Sequence, residues 1–258
     1  MIKNHNFNSF KSKFHEDIAS RPMFTSHHFK QLSLDDSTFL DLPFSHQEIK
    51  DAVWSCGGEK ALGPDGFSFK LLKKHWDIFS EGIMAYVKEF ESMGVIPKGC
   101  NSSFITLVPK IDDPLSLNDF RPIRLIGCQY KIIAKLLTTR LAKVVPTVVG
   151  EVQMAFIGGR QIIDGPLMVN EILSWAKLYK KRMIFLKVDF EKAFNYLNWS
   201  FLDCIMSQMG FSSLWRNRIR NCLNSANASV LFNGSPTLDF KLEKGLHQGD
   251  PLSPSFLY

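Results

Sequence analysis

The chain has 258 residues, of which 45% are hydrophobic and 22% are charged, a composition typical of globular domains and unlike that of disordered or fibrous chains. Its formal net charge of +6 is unevenly placed: residues 101–200 contain 14 basic and 8 acidic side chains, and the remainder contains 17 of each. The electropositive middle favours phosphates or an acidic surface as a partner, and a solvated helix face is the alternative.

The five cysteines are scattered, with no C-x-x-C pair and no histidines at zinc-ligand spacing around them. This pattern indicates a reducing compartment and no structural metal. The first residues lack the apolar core of a signal peptide, and no stretch approaches the ~20 apolar residues that span a bilayer. We therefore expect a soluble, intracellular protein, nuclear or cytoplasmic and not secreted.

The first hundred residues predict a lead-in segment followed by helices. Residues 1–40 are polar and lack sustained periodicity, so we assign them no function. Ser45 and Glu48 form the capping-box pattern of a short helix that ends before the glycine-rich loop CGGEKALGPDG. Two further helices are expected over residues 67–76 and 80–93, the second ending at a glycine.

The electropositive middle begins with a hairpin-like excursion. The strand-like run SFITLVPK ends at Lys110, and a polar loop leads to DFRPIRLIG, which contains Arg121. The segment from Gln129 to Val145 then predicts an amphipathic helix that Pro146 ends, with Lys131 and Lys135 outside the apolar face. That face comprises Ile133, Leu137, Leu141 and Val144.

Helices and strands mix in the last third of the chain. A helix over residues 166–179 precedes the run Met183–Phe190, whose apolar, β-favouring residues predict a buried strand. Helices over residues 199–209 and 213–223 follow, and an Asn-Gly pair then predicts a β-hairpin. Because regular βαβ alternation is absent, the predicted fold class is α+β with a largely antiparallel sheet.

Three local patterns point to chemistry. Asp189 follows the predicted buried strand and could hold a divalent cation, or could cap the next helix. Lys110 and Arg121 flank a loop and could clamp a polyphosphate, or could be loose surface cations. Residues 248–254, QGDPLSP, combine a glycine with two prolines, so that the backbone could approach a flat ligand, or could form a turn only.

Taken together and in this order, the motifs resemble the reverse transcriptases of non-LTR (LINE-type) retrotransposons, with plant members nearest. The resemblance extends from Leu42 to the last residue. The segments that support it are LPFSHQEIKDAVWSCGGEKALGPDGF, FITLVPK, NDFRPIRLIG, KIIAKLLTTRL, QMAFIGGRQIID, KVDFEKAF and GLHQGDPLSP.

This resemblance implies a right-hand polymerase architecture, with fingers and an incomplete palm, in a reverse transcriptase domain over residues 41–258 and a core over 104–258. The implied activity is RNA-directed DNA polymerisation, a nucleotidyl transfer in which two Mg²⁺ ions stabilise the attacking and leaving oxygens. The implied partners are an RNA template, a DNA primer and deoxynucleoside triphosphates.

The resemblance assigns roles to residues around the reaction. Asp189 matches the first catalytic, metal-binding aspartate, and the carbonyl of Phe190 matches a further metal ligand. Lys110 and Arg121 match the pair that binds the triphosphate. Phe194 matches an aromatic gate that excludes a ribose 2′-hydroxyl, with core packing as the alternative.

Other positions match the parts of the family that hold the nucleic acid. Gln248 and Gly249 match the nucleotide-binding segment that supports the nascent base pair. Gln153, Phe156 and Arg160 match a motif that positions the template strand, and core packing is again the alternative for the phenylalanine.

The resemblance also has departures. Family members continue to an aromatic-x-Asp-Asp motif, whereas this sequence stops at Tyr258 without one, so we expect the chain alone to lack activity. Alternatives are a non-catalytic nucleic-acid-binding remnant and a group II intron maturase fragment, the latter disfavoured by the EKALGPDG and QMAFIGGR segments. Four substitutions depart from the usual family residues: Leu62 for proline, Arg124 for serine, Asn195 for aspartate and His247 for arginine.

Overall fold

The computed structural model describes residues 2–18, 21–189, 193–246 and 249–256. The strands in these ranges are β1 (Ser102–Pro109), β2 (Phe120–Ile126), β3 (Asn227–Phe232), β4 (Ser235–Pro236) and β5 (Phe240–Lys241). The α-helices are α1 (Ile2–Phe14), α2 (Leu34–Asp41), α3 (His46–Ser55), α4 (Phe69–Lys74), α5 (Trp76–Met93), α6 (Cys128–Val148), α7 (Asp164–Leu178), α8 (Ala193–Tyr196), α9 (Trp199–Gln208) and α10 (Ser213–Asn224).

The strands form one sheet in which β1 is central. β2 runs antiparallel to β1, with Ser103 opposite Ile126 and Pro109 opposite Phe120. β3 lies parallel to β1 on the other side and pairs antiparallel with both β4 and β5. The predicted α+β class with a largely antiparallel sheet is confirmed, because β1–β3 is the sole parallel pairing among the described strands.

Three predictions made from short sequence motifs were confirmed: a capping box, a glycine that ends a helix, and an Asn-Gly turn. The Ser45 hydroxyl and the Glu48 side chain form both hydrogen bonds of a capping box at the start of α3. Gly94 ends α5 in the left-handed conformation, with φ of 65°. Asn233 and Gly234 both have positive φ in the β3–β4 turn, as a two-residue hairpin turn of this type requires.

Helix α6 is the most buried element of the described chain. All four residues of its predicted apolar face are buried. The prediction that Pro146 ends the helix was wrong, because α6 continues to Val148. A proline in the last turn removes a single helical hydrogen bond, and the Arg160 guanidinium donates to the carbonyls of Pro146 and Val149 at this end.

The amino-terminal helices were not predicted. Phe10 and Phe14 of α1 pack on the sheet in an apolar cluster with Ile105, Val230 and Phe240. The surrounding residues of α1 are polar, so hydropathy alone gave no helical period. Packing of these two phenylalanines against the sheet stabilises the helix, a contact between residues more than 90 positions apart.

The predicted buried strand over Met183–Phe190 was wrong for the residues that the structure describes. Residues 182–189 form no strand, and Ile184 and Leu186 are 96% and 80% exposed. A strand is stable only when a neighbour accepts its backbone hydrogen bonds, and no described strand pairs with this segment. Its last residue, Phe190, lies outside the described residues.

Exposed apolar surface continues from this segment onto α7. Ala176 is the sole buried residue of that helix, and Leu167, Ile172 and Trp175 are all exposed. Large exposed apolar patches are unusual on monomers and often mark association surfaces. None of the described helices combines the length and the apolar character needed to cross a membrane.

Candidate functional site

Lys110 and Arg121 lie together at the end of the β1–β2 hairpin. The register places Arg121 opposite Val108, and the Lys110 amide continues the ladder by donating to the Asp119 carbonyl at 2.7 Å. Residues two apart on a strand share a face, so Lys110 and Arg121 are diagonal neighbours on one face of the hairpin. Side chains in this arrangement are within reach of a common anion.

The two cations differ in how they are held. The Lys110 ammonium donates to the carbonyl of Asn118 in the connecting loop at 2.7 Å. Arg121 is exposed and forms no hydrogen bond or ion pair with any residue that the structure describes. Its five guanidinium donors are therefore available to a ligand, and a planar fork suits phosphate oxygens.

The glycine of the QGDPLSP segment packs on the same hairpin. Gly249 has a φ of +105°, and a Cβ added there would lie 3.0 Å from the carbonyl oxygen of Arg124 on β2. A larger residue would be strained by both the conformation and the contact. Arg124 is three residues from Arg121, about 10 Å along the strand. Gln248, which precedes Gly249 in the motif, lies outside the described residues.

The next residue, Asp250, anchors this turn and was missed by the sequence analysis. Its buried carboxylate accepts a hydrogen bond from the Tyr130 hydroxyl at 2.7 Å and another from the Leu252 amide at 2.9 Å. Burial raises the pKa of Asp250 despite these hydrogen bonds and the nearby charge of Arg124. The signal was present in the sequence as the one acid of the proline-containing segment QGDPLSP.

Arg124, one of the departures from the family pattern, is a structural residue. Its guanidinium donates to the Ser103 hydroxyl of β1, at 2.9 Å from Nε, and is buried. Burial lowers the pKa of Arg124 to about 10, and the charge of Asp250 opposes that shift. Arg124 thus connects β1, β2 and the turn that contains Gly249.

No contact among the described residues links Asp189 to the β1–β2 hairpin. It is exposed and is the last described residue of the unpaired segment, without a hydrogen bond or ion pair to a described residue. Within the described ranges, no three histidine, cysteine or acidic side chains are grouped closely enough to hold a metal ion. Phe190 lies outside the described residues, as does the side chain of Phe194, whose backbone belongs to α8.

Gln153, Phe156 and Arg160, the residues predicted to position a template, lie in a loop that follows α6. The Arg160 guanidinium donates to the carbonyls of Gly150 at 2.6 Å and Gln153 at 2.7 Å, and so caps the helix carboxyl end with a cation. The Gln153 amide group donates to the carbonyl of Ala155 at 3.3 Å. Phe156 has a positive φ of 64° and is 58% exposed, so core packing does not explain it.

Residues 121–150 contain six basic side chains and no acidic one, and these cations include both buried and accessible residues. Arg140 is buried: it forms an ion pair with Glu48 at 2.9 Å, donates to the carbonyls of Leu40 and Pro43, and stacks on Phe44. The Arg140 hydrogen bonds lower the pKa of Glu48 to about 2. Arg140 is therefore unavailable to phosphates.

Lys131 and Lys135, in contrast, are half-buried on α6. Neither forms a hydrogen bond or ion pair with another residue in the part of the chain that the structure describes. They are one turn apart and point to the same side of the helix. These two lysines and the exposed Lys143, unlike the buried Arg140, are cations of α6 that a ligand can reach.

The GPDG motif fastens its loop to the start of α6. Gly127 is the N-cap of α6 and has no side chain to cap it, and the Asp65 carboxylate instead accepts the Cys128 amide. A Cβ on Gly63 would lie 2.6 Å from the Cα of Gly127, so the two backbones touch. An acid at the positive end of a helix is favourable. The motif therefore positions the β2–α6 junction.

The chain matches the family described as "Reverse transcriptase (RNA-dependent DNA polymerase)" over residues 108–257, a range that includes Lys110, Arg121, Asp189 and Gly249. It is 27% identical to the "Transposon TX1 uncharacterized 149 kDa protein" of Xenopus laevis over 214 residues, which cover 83% of this chain and 16% of that protein.

Two further relatives are retrotransposon polyproteins. The "Retrovirus-related Pol polyprotein from type-1 retrotransposable element R2" of Popillia japonica is 24% identical over 84% of this chain and 29% of its own length. The corresponding R1 polyprotein of Bradysia coprophila is 25% identical over 66% of this chain and 18% of its own length. The chain thus spans less than a third of the length of each of these relatives.

Proposed function

We propose that this chain, which belongs to the reverse transcriptase (RNA-dependent DNA polymerase) family, acts as part of the polymerase of a non-LTR retrotransposon. In this proposal it binds an RNA template, a DNA primer and a deoxynucleoside triphosphate. The observation that supports it best is that Lys110 and Arg121 are neighbours on one face of the β1–β2 hairpin. Gly249 packs on the same hairpin, at the backbone carbonyl of Arg124. The retrotransposon names of the relatives favour this reading over an intron maturase.

The hairpin residues would hold the incoming nucleotide. Arg121 is free to form two parallel hydrogen bonds to phosphate oxygens, and Lys110 adds a point charge beside it. The Gly249 backbone, with no side chain to intervene, would support the nascent base pair together with Gln248. Positioning the triphosphate in this way lowers the entropic cost of the reaction.

The loop that follows α6 would contact the template. Phe156 exposes its ring in a strained backbone conformation, which suits stacking on an unpaired base. Arg160 would act indirectly, because its guanidinium is engaged with backbone carbonyls that shape the loop. The side-chain amide of Gln153, in the same loop, would also contact the template.

Magnesium is the ion that we propose for this family's nucleotidyl transfer, with Asp189 and the carbonyl of Phe190 as ligands. The described residues do not fit a two-ion site, since Asp189 is the one candidate carboxylate among them and two ions need more negative charge. Phe194 stays a proposed gate against ribonucleotides.

We also propose the division into a segment over residues 1–40 and a reverse transcriptase domain over 41–258, with α1 of that segment packed on the sheet of the domain. We further propose that the chain acts in the nucleus or the cytoplasm, where it would meet its RNA template.

A ternary-complex assay tests the proposed function. The chain is bound to a labelled DNA primer, ended by a dideoxynucleotide, on an RNA template in magnesium buffer. The complementary deoxynucleoside triphosphate is expected to tighten primer–template binding about tenfold or more, and a mismatched one is not. Equal effects of both nucleotides would contradict the proposal.

A second candidate is nucleic-acid binding without catalysis, favoured by the accessible lysines Lys131 and Lys135. An extendable primer separates the two candidates. Extension above the level of Asp189→Ala would establish catalysis, whereas nucleotide-selective complexes without extension would establish binding alone. Charge reversal at both lysines is expected to weaken RNA binding in a salt-dependent manner.

A further inference from the structure

Ser235 is an exposed serine at one end of the described sheet. It begins β4, whose two residues are both exposed, directly after the turn formed by Asn233 and Gly234. Among the described strands, β4 pairs with β3 alone, so its outer edge is open. Pro236 follows Ser235 and has no backbone N–H, so it offers no donor to a further strand. A protein that binds a short extended segment can therefore reach this serine and this proline.

The sequence contains two Ser-Pro pairs and no Thr-Pro pair, and Ser235 begins the exposed one. The other serine, Ser253, is 2% exposed. Protein kinases of the proline-directed class require a proline directly after the serine or threonine that they modify. The hydroxyl must also reach the active site of the kinase, which excludes a buried serine. Ser235 therefore satisfies both requirements, whereas Ser253 satisfies the sequence requirement alone.

The side chain of Ser235 faces helix α1. Ser235 is the cross-strand partner of Phe232, which lies two residues from Val230 on β3. Val230 packs against α1, and residues two apart on a strand share a face, so Ser235 lies on that face as well. The contact agrees with this register, because the Lys3 ammonium of α1 donates a hydrogen bond to the Ser235 hydroxyl at 2.8 Å.

The charges around Ser235 favour an anion on this face of the sheet. Helix α1 contains three lysines and no acidic residue. The one acid of residues 227–241, Asp239, keeps its charge, and it accepts a hydrogen bond from the Ser229 hydroxyl. Ser229 is adjacent to Val230 on β3, so it lies on the opposite face of the sheet from α1. A negative group added at Ser235 would thus meet a lysine, and the sheet would separate it from Asp239.

We propose that Ser235 is the phosphorylation site of a proline-directed protein kinase, and that the phosphate binds Lys3 and so holds α1 on the sheet. In this reaction the Ser235 oxygen attacks the γ-phosphorus of an ATP molecule held by the kinase. The bond from that phosphorus to the β,γ-bridging oxygen breaks, ADP leaves, and the hydroxyl proton passes to the catalytic base of the kinase. The phosphate carries a charge of about −1.5 to −2 at pH 7. The hydrogen bond from Lys3 to a neutral hydroxyl thereby becomes an ion pair.

Phosphorylation at Ser235 acts on the face of the sheet opposite the hairpin cations. Arg121 is paired with Val108, which is three residues from Ile105, and Ile105 packs against α1. Residues three apart on a strand lie on opposite faces, so α1 and the Arg121 side chain are on different sides of the sheet. The proposal is therefore independent of the polymerase function, and neither requires the other.

Phosphorylation of the 258-residue chain tests the site. The chain is incubated with ATP and a mitogen-activated or a cyclin-dependent protein kinase, both of the proline-directed class, and its digest is analysed by mass spectrometry. We expect a single phosphate, at Ser235, and none in Ser235→Ala. Ser253 is the matched control, because it also precedes a proline but is buried. The absence of phosphate at Ser235 with both kinases, or equal phosphorylation of the two serines, would overturn the proposal.

Amide hydrogen exchange tests the role of the phosphate. Phosphorylation is expected to slow the exchange of the α1 amides about threefold or more, because the ion pair with Lys3 opposes detachment of the helix. Lys3→Arg is expected to retain this effect and Lys3→Ala to remove it. The matched control is Lys11→Ala, which removes another lysine of α1 and is expected to retain the effect. Exchange that phosphorylation leaves unchanged, or slows equally in Lys3→Ala, would overturn the role proposed for the phosphate.

Discussion

At the scale of single residues, Glu48 stabilises two elements at once, since it caps α3 and pairs with buried Arg140. Its pKa falls from 4.5 to about 2 on folding, so its ionised form stabilises the chain above pH 4.5, and this contribution is lost as the pH falls from 4.5 to about 2. Glu48→Gln is expected to lower the free energy of unfolding at pH 7 by about 3 kcal/mol and to flatten its acid dependence, measured by urea denaturation. Glu59→Gln, which breaks an exposed pair, is the control. An unchanged acid dependence in Glu48→Gln would contradict this role.

Two tyrosines, one with and one without a hydrogen-bond partner, allow a controlled test of whether Asp250 anchors the QGDPLSP turn. The Tyr130 hydroxyl donates to buried Asp250, whereas the buried Tyr86 hydroxyl has no partner among the described residues. Tyr130→Phe is expected to lower the free energy of unfolding by about 1.5–3 kcal/mol, because it removes a hydrogen bond to a charged group. Tyr86→Phe is expected to be neutral or stabilising. Equal effects in chemical denaturation would show that the Tyr130–Asp250 bond does not anchor the turn.

At the scale of elements, the GPDG motif is explained by contact between two loops. Gly63→Ala is expected to destabilise the chain by about 1–3 kcal/mol, because its Cβ would overlap the Gly127 backbone. Asp65→Ala is expected to cost about 1 kcal/mol, the usual effect of losing a helix cap. Gly82→Ala, at an unobstructed position within α5, is expected to stabilise by up to about 1 kcal/mol. Melting temperatures that do not follow this order would contradict the contact.

Signals confined to a few neighbouring residues were predictable from sequence. The Ser45–Glu48 capping box and the Asn233–Gly234 turn form through contacts within four residues, so their chemistry is visible in the sequence. The strand expected over Met183–Phe190 depends on a partner strand, which local composition does not reveal.

Features of the candidate site were likewise predictable only where they depend on residues close in sequence. The proximity of Lys110 and Arg121 followed from a short hairpin, which the sequence pattern indicated. Burial of Arg124 and Arg140 follows from partners distant in sequence, which a local sequence pattern does not reveal. Asp250 was missed because its partner, Tyr130, is 120 residues away.

At the scale of the whole molecule, the exposed apolar surface of residues 183–188 and α7 governs behaviour in solution. Exposed apolar patches of this kind favour association, so the isolated chain is expected to self-associate with rising concentration in sedimentation velocity. The double variant Ile184→Lys with Leu186→Lys is expected to shift the population toward monomer. Leu238→Lys changes an exposed leucine elsewhere and is expected to leave association unchanged. A concentration-independent monomer in the wild type would contradict this expectation.

The central claim is that the hairpin cations bind the triphosphate of an incoming nucleotide. Titration of the complementary deoxynucleoside triphosphate onto the chain, bound to an RNA template and DNA primer, tests it most directly. Lys110→Ala and Arg121→Ala are each expected to weaken nucleotide binding about tenfold or more, the effect of losing a charged hydrogen bond. Lys98→Ala, which removes an exposed lysine before the opposite end of β1, is expected to leave nucleotide affinity unchanged. Wild-type affinity in both hairpin variants would contradict the account.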